Sequence, residues 1–136
     1  VDRSPSMLRL ARSKLDENPA IRAEWRQGDL YALPLPAASV DTAIMHQVLH
    51  YAQHPAAAIA EAARVLAPGG RLLVVDFLTH DREDLRERAA HAWPGFSGTQ
   101  MRDWLAAAGF EKPRSVELRG ALNVMLWLAL RQAIKR

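Results

Sequence analysis

Gly28-Asp29-Leu30-Tyr31-Ala32-Leu33-Pro34-Leu35-Pro36-Ala37-Ala38-Ser39-Val40-Asp41-Thr42-Ala43-Ile44-Met45-His46-Gln47-Val48-Leu49-His50-Tyr51 is the stretch whose reading decides the fold. It opens on an acidic turn. Pro34 and Pro36 then keep the next segment irregular, because proline fixes φ and lacks an N–H. Val40 to Met45 follows as a strand, nearly all apolar after Asp41. Strands buried on both faces read this way, as in parallel sheets covered by helices. Polar side chains gather where it ends, at His46 and Gln47. Turn, loop and strand end are expected on one sheet edge, where ligands bind beyond the carboxyl ends of parallel strands.

Downstream, Pro55 opens a helix whose Ile59, Ala62, Ala63 and Leu66 share a face, with Pro68-Gly69-Gly70 as its stop. Arg71 to Phe77 is the clearest strand, built on the run Leu72-Leu73-Val74-Val75. Asp81 to Ala92 reads as a charged, solvent-facing helix broken by Trp93-Pro94-Gly95-Phe96. Ser97 caps the next helix, with Met101, Trp104, Leu105 and Ala108 as its stripe and Gly109 as its end. Val116–Arg119 and Asn123–Leu130 are two strands joined so tightly that they must be antiparallel.

Upstream, Ile21 to Gln27 reads as a short strand with Ile21, Ala23 and Trp25 on one face. Before it, Ser4 caps a helix with Pro5 at its first position. Met7, Leu8, Ala11 and Leu15 form its apolar face, and Asn18-Pro19 ends it. Val1-Asp2 reads as the last step of a strand that has lost its beginning. The alternation implies an α/β protein with a Rossmann-like, mostly parallel sheet, helices on both faces and a C-terminal antiparallel strand pair. The 136 residues are expected to form one domain, truncated at the N-terminus.

Composition narrows the function classes. With no cysteine, disulfides, thiolate metal sites and cysteine nucleophiles are excluded. The net charge of +3, from 18 basic and 15 acidic residues, comes without a Lys/Arg block, so direct nucleic-acid contact is not expected. No apolar run has membrane-spanning length and no signal peptide is recognisable. A cytoplasmic protein without membrane contact is expected, and a homo-oligomer is compatible.

Six residues are candidates for a site. Asp2, at a strand's carboxyl end, suits the two hydroxyls of a ribose, or is a plain helix-entry carboxylate favoured by the dipole. Asp29 can take the amino group of an adenine while the Leu30 N–H serves a ring nitrogen and the Leu30 side chain covers the ring. The alternative is an ordinary turn aspartate. His46 and Gln47 end a strand on the substrate side. His46 or His50 could accept a proton, since histidine titrates near neutral pH; each could equally be a hydrogen-bonded loop histidine. His46, His50 and His54 lie four apart, but a strand end and Pro55 keep them off one helix, so no metal site is expected. Aromatics Trp93 and Phe96, with His91, read as a packing plug or a substrate lid. The tryptophans Trp104 and Trp127 and the methionines Met7, Met45, Met101 and Met125 read as core.

The pattern resembles the class I S-adenosylmethionine-dependent methyltransferases. Val1-Asp2-Arg3-Ser4-Pro5-Ser6-Met7-Leu8 is similar to that family's segment at the end of the second strand. Gly28-Asp29-Leu30, Leu33-Pro34 and Ser39-Val40-Asp41 are similar to its adenine-binding turn and the run into the fourth strand. Arg64-Val65-Leu66-Ala67-Pro68-Gly69-Gly70-Arg71-Leu72-Leu73 is similar to its lead into the fifth. A narrower likeness, to the methyltransferase half of ArsR-type regulator fusions, rests on Val48-Leu49-His50-Tyr51 and His91-Ala92-Trp93-Pro94-Gly95-Phe96-Ser97, followed by Trp104-Leu105. There Pro94 stands where the likeness would have Leu. Those proteins carry a winged-helix DNA-binding domain upstream.

The resemblance implies S-adenosylmethionine as cofactor and a small-molecule methyl acceptor. Asp2 would bind the ribose, Asp29 with Leu30 the adenine, and His46 with Gln47 the methionine and substrate side; His46 and His50 are the candidate bases. The family's first strand and glycine-rich loop are not in this sequence, and no G-x-G-x-G occurs. Glycine permits the close backbone approach that loop makes, so the 136 residues alone are expected to bind cofactor poorly. Two other readings remain beside methyl transfer. One is a non-catalytic regulatory module; the other is a nicotinamide enzyme, which lacks its G-x-G-x-x-G here.

Overall fold

A computed structural model describes residues 1–80 and 92–133. Helix α1 spans Pro5–Asp16, capped by the Ser4 hydroxyl accepting from the Met7 N–H. Strand β1 spans Val40–His46 and leads through a short turn to a 3-10 segment, Leu49–Tyr51. Helix α2 spans Pro55–Val65 and runs directly into β2, Leu66–Phe77. Helix α3 spans Gly98–Ala107 and starts with a full capping box between Ser97 and Gln100. Strands β3, Arg114–Leu118, and β4, Val124–Leu130, complete the sheet.

The sheet order is β1-β2-β4-β3, with β1 parallel to β2 and both other pairings antiparallel. The C-terminal antiparallel pair is as expected. The sheet is mixed rather than mostly parallel, because the upstream segments contribute only bridges. Asp2 pairs in parallel with Gln27 at a single position. The expected strand Ile21–Gln27 is otherwise absent: Ile21 is 58% exposed, and a strand without a partner ladder has nothing to hold its backbone extended. Helix α2 ends at Val65, before Pro68-Gly69-Gly70. Those residues lie within β2, where the register jumps between Val40–Leu66 and Thr42–Arg71.

One sheet face is the core. Met45, Leu72, Val74, Trp127 and Ala129 pack there with Ile59 and Ala62 of α2 and Met101 and Leu105 of α3. Alternate residues point the other way, as strand pleating requires, and on that face Ile44, Val116, Leu118, Leu128 and Leu130 are exposed. Helices α2 and α3 thus cover one face; the expected cover on both faces is not seen among the described residues. Met7, expected in the core, is exposed, and Leu8 is the one buried residue of α1.

The aromatic segment after the undescribed residues is a plug. Trp93 and Phe96 meet the ring of Trp104 at 5.6 and 5.5 Å, both edge-on. Gly95 between them has φ +80°, and a Cβ there would fall 2.3 Å from the Leu78 carbonyl oxygen. Only glycine lets this strap cross β2's end so closely. His91 and the expected helix from Asp81 fall, apart from Ala92, outside the described residues.

Candidate functional site

A cavity of about 580 Å³ runs along the free edge of β1. Its first wall comes from Val1–Arg3 and the Gly28–Leu35 loop. The Gly28 N–H donates to the Asp2 carbonyl at 3.0 Å and the Asp2 N–H to the Arg26 carbonyl at 3.1 Å. Gln27, the bridge partner of Asp2, is two residues from Asp29. Topology therefore brings Asp2 and Asp29 to the same cavity, and both line it.

The two carboxylates are poised alike. Asp2 Oδ1 accepts from the Ser4 N–H at 2.8 Å, and Asp29 Oδ1 from the Tyr31 N–H at 2.8 Å. Each side chain is oriented by its own turn, and among the described residues the second oxygen of each has no protein partner. The Leu30 N–H likewise has no protein acceptor, and Leu30 lines the cavity beside it. Gly28 packs under Pro34: a Cβ at this glycine would come within 2.6 Å of Pro34 Cδ and 3.0 Å of Val1 Cγ1.

A charged pair on α2 holds this first wall from outside. Glu61 accepts from the Leu33 N–H at 3.1 Å and from Arg64 Nε at 2.8 Å. Arg64 donates in turn to the carbonyls of Leu33 at 3.2 Å and Leu35 at 3.0 Å. The hydrogen bond from Arg64 holds the Glu61 carboxyl below its ordinary pKa, and the same bond raises that of Arg64. Sequence reading missed both residues. Their i, i+3 spacing on a predicted helix was the available signal.

The second wall is β1 and the turn beyond it. His46 is exposed at the strand end and lines the cavity, as do Val48, Tyr51 and Ala52. Gln47 has φ +52° and its N–H donates to the Val75 carbonyl at 2.7 Å. It adjoins the cavity in sequence but is not among the lining residues. A non-glycine residue with positive φ is a local strain that recurs at ligand sites.

His50 is placed differently from His46. It is 2% exposed and does not line the cavity. Its Nδ1 lies 2.7 Å from Oδ1 of Asp76, which is itself fully buried. The carboxylate must be the acceptor, so Nδ1 carries the proton. Oδ2 of Asp76 accepts the N–H groups of Leu49 and His50 at 3.1 and 3.2 Å, and Oδ1 also accepts that of Phe77 at 2.8 Å. Val48 offers the 3-10 segment no side-chain cap; Asp76 supplies it from the neighbouring strand. Asp76 was overlooked in the sequence, although a lone carboxylate after four apolar residues of a buried strand marks a satisfied polar group.

Comparison with known proteins gives these features a context. Residues 1–74 match the model of a methyltransferase domain family. The chain is 36% identical over 130 residues to an uncharacterized 37.1 kDa protein of a Streptomyces fradiae transposon, covering 87% of this chain and 37% of that protein. It is 35% identical over 97 residues to the malonyl-[acyl-carrier protein] O-methyltransferase of Hahella chejuensis, covering 71% of this chain and 32% of that one. The chain thus spans about a third of the length of these curated relatives. In three dimensions it superposes on a Methanosarcina mazei SAM-dependent methyltransferase with a TM-score of 0.77, at 18% identity, over 98% of this chain and 81% of the other. At that identity the likeness is one of fold.

Proposed function

Since the chain belongs to the S-adenosylmethionine-dependent methyltransferase family, we propose that it binds this cofactor in the cavity along β1 and serves methyl transfer to a small-molecule acceptor as part of a longer polypeptide. One observation carries the reading: Asp2 and Asp29 line one cavity, each steered by a turn N–H and each with an uncommitted oxygen. Asp2 would accept the ribose hydroxyls. Asp29 would accept the adenine amino group, and the Leu30 N–H would meet a ring nitrogen while its side chain covers the ring. Sites of this kind are mostly apolar with a few fixed polar groups.

Bound there, the cofactor's sulfonium supplies a methyl group already activated for displacement. What remains for the protein is alignment, which is worth several kcal/mol of a barrier. His46, exposed on the second wall, is placed to accept a proton where the acceptor must lose one. His50 serves that role only by way of the turn it anchors, since its ring is buried against Asp76. Gln47 would act through its strained backbone at the strand exit. The resemblance of the sequence segments 48–51 and 91–97 to ArsR-type regulator fusions supports such a fusion as the parent.

A second reading is a regulatory module that binds the cofactor without catalysis. The two share a first test. Adenosine titrated at millimolar concentration into the isotopically labelled chain should shift the amides of Asp2, Asp29 and Leu30, and Asp29→Asn should weaken the binding about tenfold, as loss of a charge-assisted hydrogen bond does. Shifts confined to other parts of the sheet would end the nucleoside reading. Affinity of these 136 residues for S-adenosylmethionine itself should be weaker than micromolar, because among the described residues no strand pairs with the outer edge of β1. Micromolar binding would mean that the open cavity suffices.

A further inference from the structure

Asp29 is steered by the backbone N–H of Tyr31, and the Tyr31 side chain leads away from that turn to another element. Its hydroxyl oxygen accepts the backbone N–H of His54 at 3.2 Å, 23 positions away in sequence. The two rings meet at 6.1 Å between centres, tilted by 60°. His54 is the N-cap of α2, and its own side chain makes no capping bond. Pro55 follows and brings no N–H, so the His54 N–H is the last backbone donor before the helix. One residue thus joins the turn of Asp29, by its N–H, to the start of α2, by its hydroxyl.

The far end of the same loop is tied to α2 one turn and more further along. Leu33 donates to Glu61, and Arg64 donates to the carbonyls of Leu33 and Leu35. Those bonds lie beyond the turn. From Asp29 to Ala32 the backbone is closed on itself, with the Ala32 N–H on the Asp29 carbonyl at 3.1 Å. Among the described residues, the bond between Tyr31 and His54 is the one that leaves this turn. Asp29 is exposed, and an exposed side chain on a short turn has orientations to lose when it meets a ligand. A group already ordered in its bound geometry avoids that loss, and affinity rises accordingly.

We infer that Tyr31 is a positioning residue for base recognition: its hydroxyl, anchored on the His54 N–H, fixes the turn that aims the Asp29 carboxylate at the amino group of the nucleoside base. Tyr31 then acts through Asp29, and the start of α2 is the rigid element against which the carboxylate is set. The inference deepens the nucleoside reading of the cavity and rests on it, and its test separates the two.

Adenosine and purine riboside, which is adenosine without the amino group, are each titrated into the labelled chain and into Tyr31→Phe. The variant keeps the ring and loses the hydroxyl at a position 37% exposed, so the fold is retained. Adenosine should bind Tyr31→Phe about threefold more weakly than the parent, less than the tenfold expected of Asp29→Asn, because the effect is passed on through that carboxylate. Purine riboside should bind both proteins equally. In the Asp29→Asn background, Tyr31→Phe should weaken adenosine no further, since two changes acting on one contact are not additive. The inference is overturned if Tyr31→Phe binds adenosine as well as the parent does, or if purine riboside is weakened as much as adenosine. It is equally overturned if the loss persists in the Asp29→Asn background, which would put the hydroxyl on the ligand itself. Failure of adenosine to shift Asp2, Asp29 and Leu30 in the parent would instead remove the nucleoside reading, and this inference with it.

Discussion

From Arg71 to Phe77, β2 pairs residue by residue with β4, and its inward side chains Leu72, Val74 and Asp76 are fully buried. From Val1 to Leu35, the chain makes only the isolated bridges of Asp2 with Gln27 and of Asp29 with Ala32, and most of its residues are exposed. The two regions build one cavity but are held by different physics. The first is secured by apolar burial and a continuous ladder. The second is secured by discrete polar contacts: turn bonds to Asp2 and Asp29, the Arg26 guanidinium on the Pro34 carbonyl at 3.0 Å, and the Glu61–Arg64 pair on Leu33 and Leu35. Under the proposed function, the groups that would hold the cofactor lie in the region held by polar contacts, which is where ligand-binding loops are drawn from.

The contrast is broken most directly by cutting into the ladder region. Trp127 is 1% exposed, and Trp127→Ala should destabilise the chain by about 4 kcal/mol in urea unfolding. Ile21→Ala in the open region should change stability by less than about 0.5 kcal/mol. Equal effects would mean that apolar burial secures the open region as it does the ladder.

A smaller loss is expected where the regions are linked to the turn. Asp76→Ala removes the acceptor of four donors, three of them in buried bonds, and should destabilise by about 3 kcal/mol. It should also release amide protection at Leu49, His50 and Phe77 in hydrogen exchange. Unchanged protection there would show that the turn is held by packing alone.

The smallest effect belongs to the open region's own clamp. Glu61 has a lowered pKa in the folded chain, so the unfolded state binds more protons between the folded and unfolded values, and stability rises with pH across that window. Its contribution is complete above the ordinary glutamate value of about 4.3 and is lost as the pH falls through the lowered folded value. In Glu61→Gln the acid limb of the stability profile should be flatter, with early exchange of the Leu33 amide. An acid limb identical to the parent's would assign no role to the clamp.

Much of this was legible in the sequence because it is local. Ser4 with Pro5, and Ser97 with Gln100, start helices through bonds between near neighbours. Leu72–Val75 is too apolar to lie anywhere but in a buried strand. The short link around Gly120 forced β3 and β4 antiparallel. What failed had no local cause. Ile21, Ala23 and Trp25 alternate as a strand should, yet a strand exists only where a partner supplies its ladder. Met7 shares a helical face with Leu8, yet only Leu8 is covered.

For the candidate site the division is the same. The identities of Asp2, Asp29, Leu30 and His46 were readable, because residue type and turn position constrain chemistry directly. That Asp2 and Asp29 line one cavity, that His46 is open while His50 is closed against Asp76, and that Arg64 grips the carbonyls of Leu33 and Leu35 are long-range facts. Sequence determined which groups the chain carries and where its elements begin. Tertiary structure alone decided which of those groups share a space, because burial and hydrogen-bond partners are set by residues far apart along the chain.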